Sequence, residues 1–320
     1  MKKISVILPV YNGEKFLIDA MESVLKQNLI DFDFLICDDC STDKSWDLIN
    51  KYANHPNIKI FKNKINLGLF KTLNFLLSKT STDLIHLWSQ DDVMKPHCLQ
   101  ECIIFHEKHP DLLMSYSGRD YIDENGKLIE LYQKDETPEV ISSELYAYIS
   151  AYWGCIAGNI ANVTLTKKGI AKAGNFNENY EVSGDFEMWT RLSKNGDIGF
   201  LNQPLIFLRR HLGQLSRSYK STYLSMKEDI PILLNINEMV ADEHRKKVQI
   251  CLTWKTQVIY FNEMLFLVFK KEINLATKCL FLLANHSNIF LLFFRWLLIR
   301  FLRTLKKDMW FYKNILHILK

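Results

Sequence analysis

The sequence carries neither of the common glycine-rich phosphate loops: no G-x-G-x-x-G and no G-x-x-x-x-G-K-[ST] occurs in it. Phosphate, if bound, must be handled by side chains or by a cation they hold. The seven cysteines are an odd number without framework spacing, which argues against a disulfide scaffold and suits a reducing compartment. Cys37 and Cys40 form a C-x-x-C, and Cys98 and Cys102 a C-x-x-x-C. Neither has a redox context or a His–Cys set around it in the sequence, so both read as packed thiols. There is no secretory core, because Met1-Lys2-Lys3 leads directly into the short run Ile4–Pro9 and then polar Asn12-Gly13-Glu14. The N-terminal part is therefore expected in the cytosol. A net charge of +4 is too mild to argue for a nucleic-acid partner.

What is present is ordinary for a folded enzyme-sized chain. With 320 residues, 48% hydrophobic and 24% charged, it can build one large or two modest domains. Ile4–Pro9 is an unbroken apolar run, expected as a strand buried on both faces. A helix over Leu17–Leu25 follows, then a strand Phe32–Cys37 ending in Asp38-Asp39. Ser41-Thr42-Asp43 is expected to cap the next helix. Ile58–Phe61 reads as a third strand, Asn66-Leu67-Gly68 as a turn, Phe70–Leu77 as a helix and Leu84–Leu87 as a fourth strand. A helix over Pro96–His109 and a strand over Leu112–Tyr116 complete this half. Alternating strands and helices with short links imply a parallel α/β sheet, and ligands then sit beyond the carboxyl ends of the strands. Tyr11-Asn12, Asp38-Asp39, Asn66 and Asp91-Asp92 all follow such ends.

Asp91 and Asp92 sharpen this. Two adjacent carboxylates at the end of an apolar strand are costly unless positive charge sits beside them. A divalent cation with a phosphate-bearing ligand meets that need; the bland alternative is a helix cap facing water. In the second half, Asp123–Lys127 reads as a hairpin turn of type I′ through Asn125-Gly126. Ser142–Tyr152 reads as a helix and Ile160–Leu165 as a strand. Asp185 opens an apolar helix bearing Met188, Trp189 and Leu192. Ile198–Leu201 and Leu205–Leu208 read as short strands, closed by Arg209-Arg210-His211.

These motifs in this order resemble the family 2 glycosyltransferases with the GT-A fold. The resemblance is carried by Ser5–Gly13, Asp38–Asp43, Asn66–Gly68, Asp91-Asp92, Ser183–Trp189 with Arg191, and Arg210–Ser216. It covers roughly residues 4 to 217. It implies a nucleotide-diphosphate-sugar donor, most simply a UDP-sugar, and an inverting single displacement by a hydroxyl of a glycan acceptor. Tyr11 would stack on the base and Asp39 hydrogen-bond to it, with Pro9, Asn12, Asp38, Asn66, Gly68 and Gln90 in the nucleotide site. Lys71 would reach the phosphates. Asp91 would hold a divalent metal, Mn²⁺ or Mg²⁺, with His211 closing over the nucleotide or completing the metal shell. Asp185 would be the general base, with Asp92, Gly184, Trp189 and Arg210 around the acceptor. Three positions depart from the pattern: Ser89 replaces the first Asp of the metal motif, Gly184 replaces a Glu before the base, and Leu73 stands where an Arg is common.

The resemblance divides the chain into a GT-A domain at 1–217, with a nucleotide half at about 1–117 and an acceptor half at about 118–217, and a helical region at 218–320. In the latter, residues 289–303 are too short and too charged to span a bilayer. At about 100° per residue, Arg295, Arg300, Arg303, Lys306 and Lys307 fall on one arc, opposite Leu, Phe and Ile. With Trp296 and Trp310 this reads as an interfacial anchor on the inner face of the cytoplasmic membrane, or else as a packing or homodimer helix. A lipid-linked polysaccharide precursor, such as an O-antigen or capsule unit, would then be the acceptor. Two rivals stay open: a nucleotidyltransferase, against which the missing glycine-rich activation loop counts, and a catalytically inactive nucleotide-sugar or membrane-binding module, which Ser89 suggests.

Overall fold

The structure, a computed structural model, describes residues 3–211, 213 and 221–306. Leu212, Gln214, Leu215 and Ser216 of the last motif, and Lys307 and Trp310 of the tail, lie outside the described residues. The chain forms two compact units: Met1–Ser143 with Ala157–His211, and Glu144–Ile156 with Leu212–Lys320.

The first unit is a ten-stranded sheet flanked by helices. In chain order it runs β1 (Ile4–Val10), α1 (Leu17–Leu25), β2 (Asp33–Asp38), α2 (Ser45–Asn50), β3 (Ile58–Lys62), α3 (Leu69–Leu77), β4 (Leu84–Leu87), β5 (Val93–Met94), α4 (Cys98–Lys108), β6 (Met114–Ile122), β7 (Leu128–Glu130) and β8 (Val140–Ile141). Helix α5 (Ser143–Trp153) belongs from Glu144 onward to the second unit. The first unit resumes with β9 (Val163–Thr166), α6 (Lys167–Ala173), α7 (Gly184–Asn195) and β10 (Ile198–Arg209). The sheet order is β3-β2-β1-β4-β9-β6-β10-β5. β1 lies between β2 and β4 and is buried along its whole length, as its unbroken apolar run requires.

Local chemistry accounts for several differences from the sequence reading. The sheet is mixed: β9 runs antiparallel to both β4 and β6. Two antiparallel steps restore direction, so β6 and β10 run parallel to β4. The two short strands expected around Pro204 are one strand, β10, whose register shifts on both sides of Pro204. Proline lacks the N–H a regular ladder would use, and a bulge accommodates it. Residues Ile160–Asn162 form a 3-10 turn, capped by Asn159, before β9 begins. The hairpin after β6 is not type I′: Gly126 has φ 81 but Asn125 is not in the left-handed region. Asp123 organises it instead, its Oδ1 accepting from the N–H groups of Asn125 and Lys127. Helix α2 is not capped by Ser41–Asp43, since the cap position is Lys44; Asp43 Oδ1 still accepts from Ser45 N at 2.9 Å.

The second unit is helical: α5, α8 (Thr222–Glu238), α9 (Asp242–Cys251), a π-helical turn at Leu252–Thr256, α10 (Gln257–Phe269), α11 (Ile273–His286) and α12 (Ile289–Thr304). Its core joins Met226, Phe261, Met264, Leu267, Leu283 and Ile299. Among the described residues no single helix is long and apolar enough to cross a membrane, and α11 and α12 bend by 105° at their junction.

Candidate active site

The carboxyl ends of β1, β2, β4 and β10 share one edge of the sheet, because these strands are mutually parallel. The loops at this edge are laced together by side chains. Asn12 takes a left-handed conformation, φ 50, which asparagine tolerates better than most residues. Its N–H donates to Ser41 Oγ at 3.0 Å, and its Oδ1 accepts from Thr42 N at 2.8 Å. Gly13 N donates to Ser45 Oγ at 2.8 Å. The Gln90 amide clamps the β1 loop to the β4 loop, accepting from Tyr11 N at 2.9 Å and donating to Tyr11 O at 3.1 Å. A Cβ on Gly13 would fall 2.6 Å from that amide, so the clamp needs glycine there. The clamp leaves the Tyr11 side chain 46% exposed at the rim, a position from which it can stack on a flat ligand.

Asp39 is buried and accepts hydrogen bonds on both carboxylate oxygens. Its Oδ1 accepts from Asn63 Nδ2 at 2.7 Å and Leu67 N at 2.9 Å, and its Oδ2 accepts from Gly68 N at 2.8 Å. It thus fixes the 63–68 loop and the start of α3, where Gly68 has φ 88. Asp38 is also buried; its Oδ2 accepts from Ser41 N, while Oδ1 has no partner among the described residues.

At the end of β4 the cation that two adjacent carboxylates require comes from the chain itself. Arg209, the last residue of β10, has a side chain only 2% exposed. Its N–H donates to Asp92 Oδ1 at 2.8 Å, and its guanidinium donates to Asp91 O at 2.8 Å and to Asp19 Oδ2 at 3.2 Å. Two further bonds go to the carbonyls of Asp123 and Glu124, and the Phe16 ring lies beneath the guanidinium. Burial pushes the Asp92 carboxyl up to about 7, with the neighbouring Asp91 adding to the rise and the Arg209 N–H opposing it. Burial also raises Asp91, opposed by His211 and Arg209. His211 Nε2 stands 3.6 Å from Asp91 Oδ2, its ring packed on Phe16. A carboxylate oxygen and an imidazole nitrogen converging this closely can share one divalent ion, and the pair suits Mn²⁺ or Mg²⁺ with further ligands from a diphosphate. Ser89, in place of an Asp, keeps its Oγ 3.4 Å from Asp91 N.

Asp185 sits in the first turn of α7 and is half-buried. The residue before it explains the departure from the family pattern. Gly184 packs on the Phe70 ring of α3, and a Cβ there would lie 2.6 Å from Cε2. Phe70 is buried and stacks on Phe176 at 5.6 Å. A route of direct contacts therefore runs from Asp39 through Gly68 and the head of α3 to Phe70, Gly184 and Asp185. Arg191 holds the helix, pairing with Glu187 at 2.7 Å and donating to the carbonyls of Ala173 and Asn175.

Other expected site residues lie differently. Trp189 is fully buried edge-on to Phe176, so it packs beneath the helix and cannot touch an acceptor. Pro9 is buried within β1. Asp92 is 2% exposed and anchors β10. Lys71 and Asn66 are exposed, and Leu73 is wholly buried, unable to replace an arginine. Arg210 stacks on Tyr121, its guanidinium 3.6 Å from the ring centroid, and pairs with Glu130 at 3.0 Å on the β6–β7 hairpin. The sequence reading missed a His–Cys set: His86, Cys98 and Cys102 are buried together with ligand atoms within 4.8 Å. Thr164 Oγ1 also lies 2.9 Å from His86 Nδ1. The two thiols are one turn apart on α4 and the histidine is on β4, a meeting that only the fold creates. Arg209 and Phe70 were the other residues missed. The signal for Arg209 was a charged residue closing an apolar strand.

Residues 5–161 match the family described as Glycosyl transferase family 2. The putative glycosyltransferase EpsE of Bacillus subtilis is 36% identical over 126 residues, 39% of this chain and 45% of that protein. A chondroitin synthase of Escherichia coli is 26% identical over 208 residues, 62% of this chain and 28% of that protein. The chain thus spans less than half the length of these two relatives. Among solved structures, S. aureus TarS 1-349 in complex with UDP-GlcNAc superposes with a TM-score of 0.61 at 18% identity, over 82% of this chain and 79% of that one. That likeness is one of fold, and the fold is GT-A.

Proposed function

This chain belongs to the family 2 glycosyltransferases, and we propose that it transfers a sugar from a nucleoside-diphosphate sugar to a hydroxyl of a glycan acceptor with inversion. The observation that carries the reading is the Asp91–His211 pair, 3.6 Å apart. It is backed by buried Arg209 and shares the sheet edge with Tyr11, Asn12 and Asp39. Asp185 accepts the proton of the acceptor hydroxyl as its oxygen bonds to the anomeric carbon. The bond from that carbon to the diphosphate oxygen breaks on the opposite side, which inverts the centre. Tyr11 stacks on the base, while Asn12 and Gln90 hold the loop that presents it. Asp39 keeps the base-side loop in shape, its Oδ2 having capacity for one more donor. Asp91 and His211 would hold a divalent ion, which when bound neutralises the diphosphate leaving group. Arg209 keeps Asp91 in place for that task.

UDP-GlcNAc, which the similar TarS binds in its crystal structure, is the first donor to try. The acceptor we infer is a lipid-linked polysaccharide precursor met at a membrane surface. The test is Asp185→Asn. Losing a positioned base costs on the order of 10²–10⁴-fold in rate. The variant should therefore keep nucleotide affinity while transfer falls by at least that lower figure. Full transfer by the variant would remove Asp185 from its role.

A further inference from the structure

Helix α12 carries a broad uncovered apolar face. Its inward stripe is Leu292 and Ile299, both buried. At about 100° per residue, Phe290, Phe294, Leu297, Leu298 and Phe301 fall within an arc of about 100° on the opposite side. All five are exposed, Phe290 by 80%, Phe294 by 65% and Phe301 by 61%. Leaving three phenyl rings and two leucines in water along one face is costly and marks an interaction surface.

The charges correct the sequence reading and sharpen it. The cationic arc is not a free polar face, because it contains the buried stripe. Arg295 packs over Trp254 at 5.2 Å and Arg300 over Trp296 at 5.3 Å. On the helical wheel these two arginines stand about 60° beyond either edge of the apolar arc. Lys306 follows the helix and is exposed. Between Ile289 and Lys306 there is no Asp or Glu. This is an apolar strip edged on both sides by cations.

We propose that this face docks the protein on an anionic lipid surface, with the Phe and Leu side chains in the acyl boundary and Arg295, Arg300 and Lys306 meeting headgroup phosphates. Charge complementarity selects that occupant over a second copy of the chain. A two-fold interface through α12 would bring the same cationic edges together with no carboxylate on either helix to receive them. The inference deepens the membrane-surface part of the reading above and is independent of the transfer chemistry, which UDP binding reports separately.

The test is flotation of the full chain with vesicles of phosphatidylcholine, alone or mixed with phosphatidylglycerol. The protein should float with the anionic vesicles and weakly with the neutral ones, and about 0.5 M salt should narrow the difference. Phe290→Ser with Phe294→Ser should weaken anionic-vesicle binding at least about tenfold, while UDP affinity stays unchanged. Arg295→Gln with Arg300→Gln should remove the preference for anionic lipid, each cation being worth roughly fivefold. Failure to float with anionic vesicles would overturn the proposal. So would equal flotation of the serine variant and the parent. A parent dimer that these serines dissociate, without vesicle binding, would assign the face to a second copy and overturn it as well.

Discussion

Gly184→Ala tests how the candidate base is held. The added methyl would sit 2.6, 2.7 and 2.9 Å from Cε2, Cζ and Cδ2 of Phe70. Carbon atoms normally approach to about 3.5–4.0 Å, so the ring edge must retreat by roughly 1 Å. It has little room, since Phe70 is 3% exposed and stacked on Phe176. Overpacking of this kind costs about 1–3 kcal/mol. Alanine recovers about 0.4–1 kcal/mol by restricting the unfolded chain. The net expectation is a loss of about 1–2 kcal/mol, read as a fall of roughly 2–8 °C in thermal midpoint for a domain of this size. Phe70→Leu frees the space, so in that background Gly184→Ala should cost close to nothing. The coupling in the double-mutant cycle should be about 1–2 kcal/mol. Transfer rate should follow the same pattern, because Asp185 moves with Gly184. If Gly184→Ala is neutral or stabilising in the parent and the cycle shows no coupling, the steric account of this departure is wrong.

Two further outcomes follow from other buried groups. Arg209→Met removes the guanidinium beside Asp91 and Asp19 and strands the carbonyls of Asp91, Asp123 and Glu124, which should cost about 3–5 kcal/mol in denaturant unfolding; a loss under 1 kcal/mol would show that the arginine is not the anchor. His106 is buried on α4 with its Nε2 2.9 Å from Ser115 Oγ, and burial pushes its pKa down to about 4 from 6.5. Because the unfolded chain takes up this proton more readily, its contribution is fully present above about pH 6.5 and is lost as pH falls towards 4, amounting to roughly 3 kcal/mol. His106→Gln should flatten the acid side of the stability profile by that amount, and an unchanged slope would place the proton elsewhere.

The first four strands were legible because each is a short apolar run punctuated by polar turn residues, and the parallel α/β order follows from that rhythm. That Asp91 and His211 meet was legible only through motif order: the 119 residues 92–210 separate them, and nothing local links them. What sequence could not give were contacts made by topology. The antiparallel insertion of β9 brings β10 into parallel with β4, and only then does Arg209 reach the Asp91-Asp92 pair. The Gly184–Phe70 contact and the His86–Cys98–Cys102 cluster arise in the same way. Trp189 failed as an acceptor residue because an apolar helix face gives no sign of whether it lies over a ligand or over the core. On α12 the periodicity identified the two faces, but which one turns inward depends on the neighbouring helices.

The measurement that bears most directly on the account is calorimetric titration of the full chain with UDP, with and without Mn²⁺, beside Asp91→Asn and His211→Ala. Binding should strengthen markedly with Mn²⁺ in the parent and lose that metal dependence in both variants. Binding that is equally tight with and without Mn²⁺, or metal dependence that survives both substitutions, would contradict the site built on Asp91 and His211.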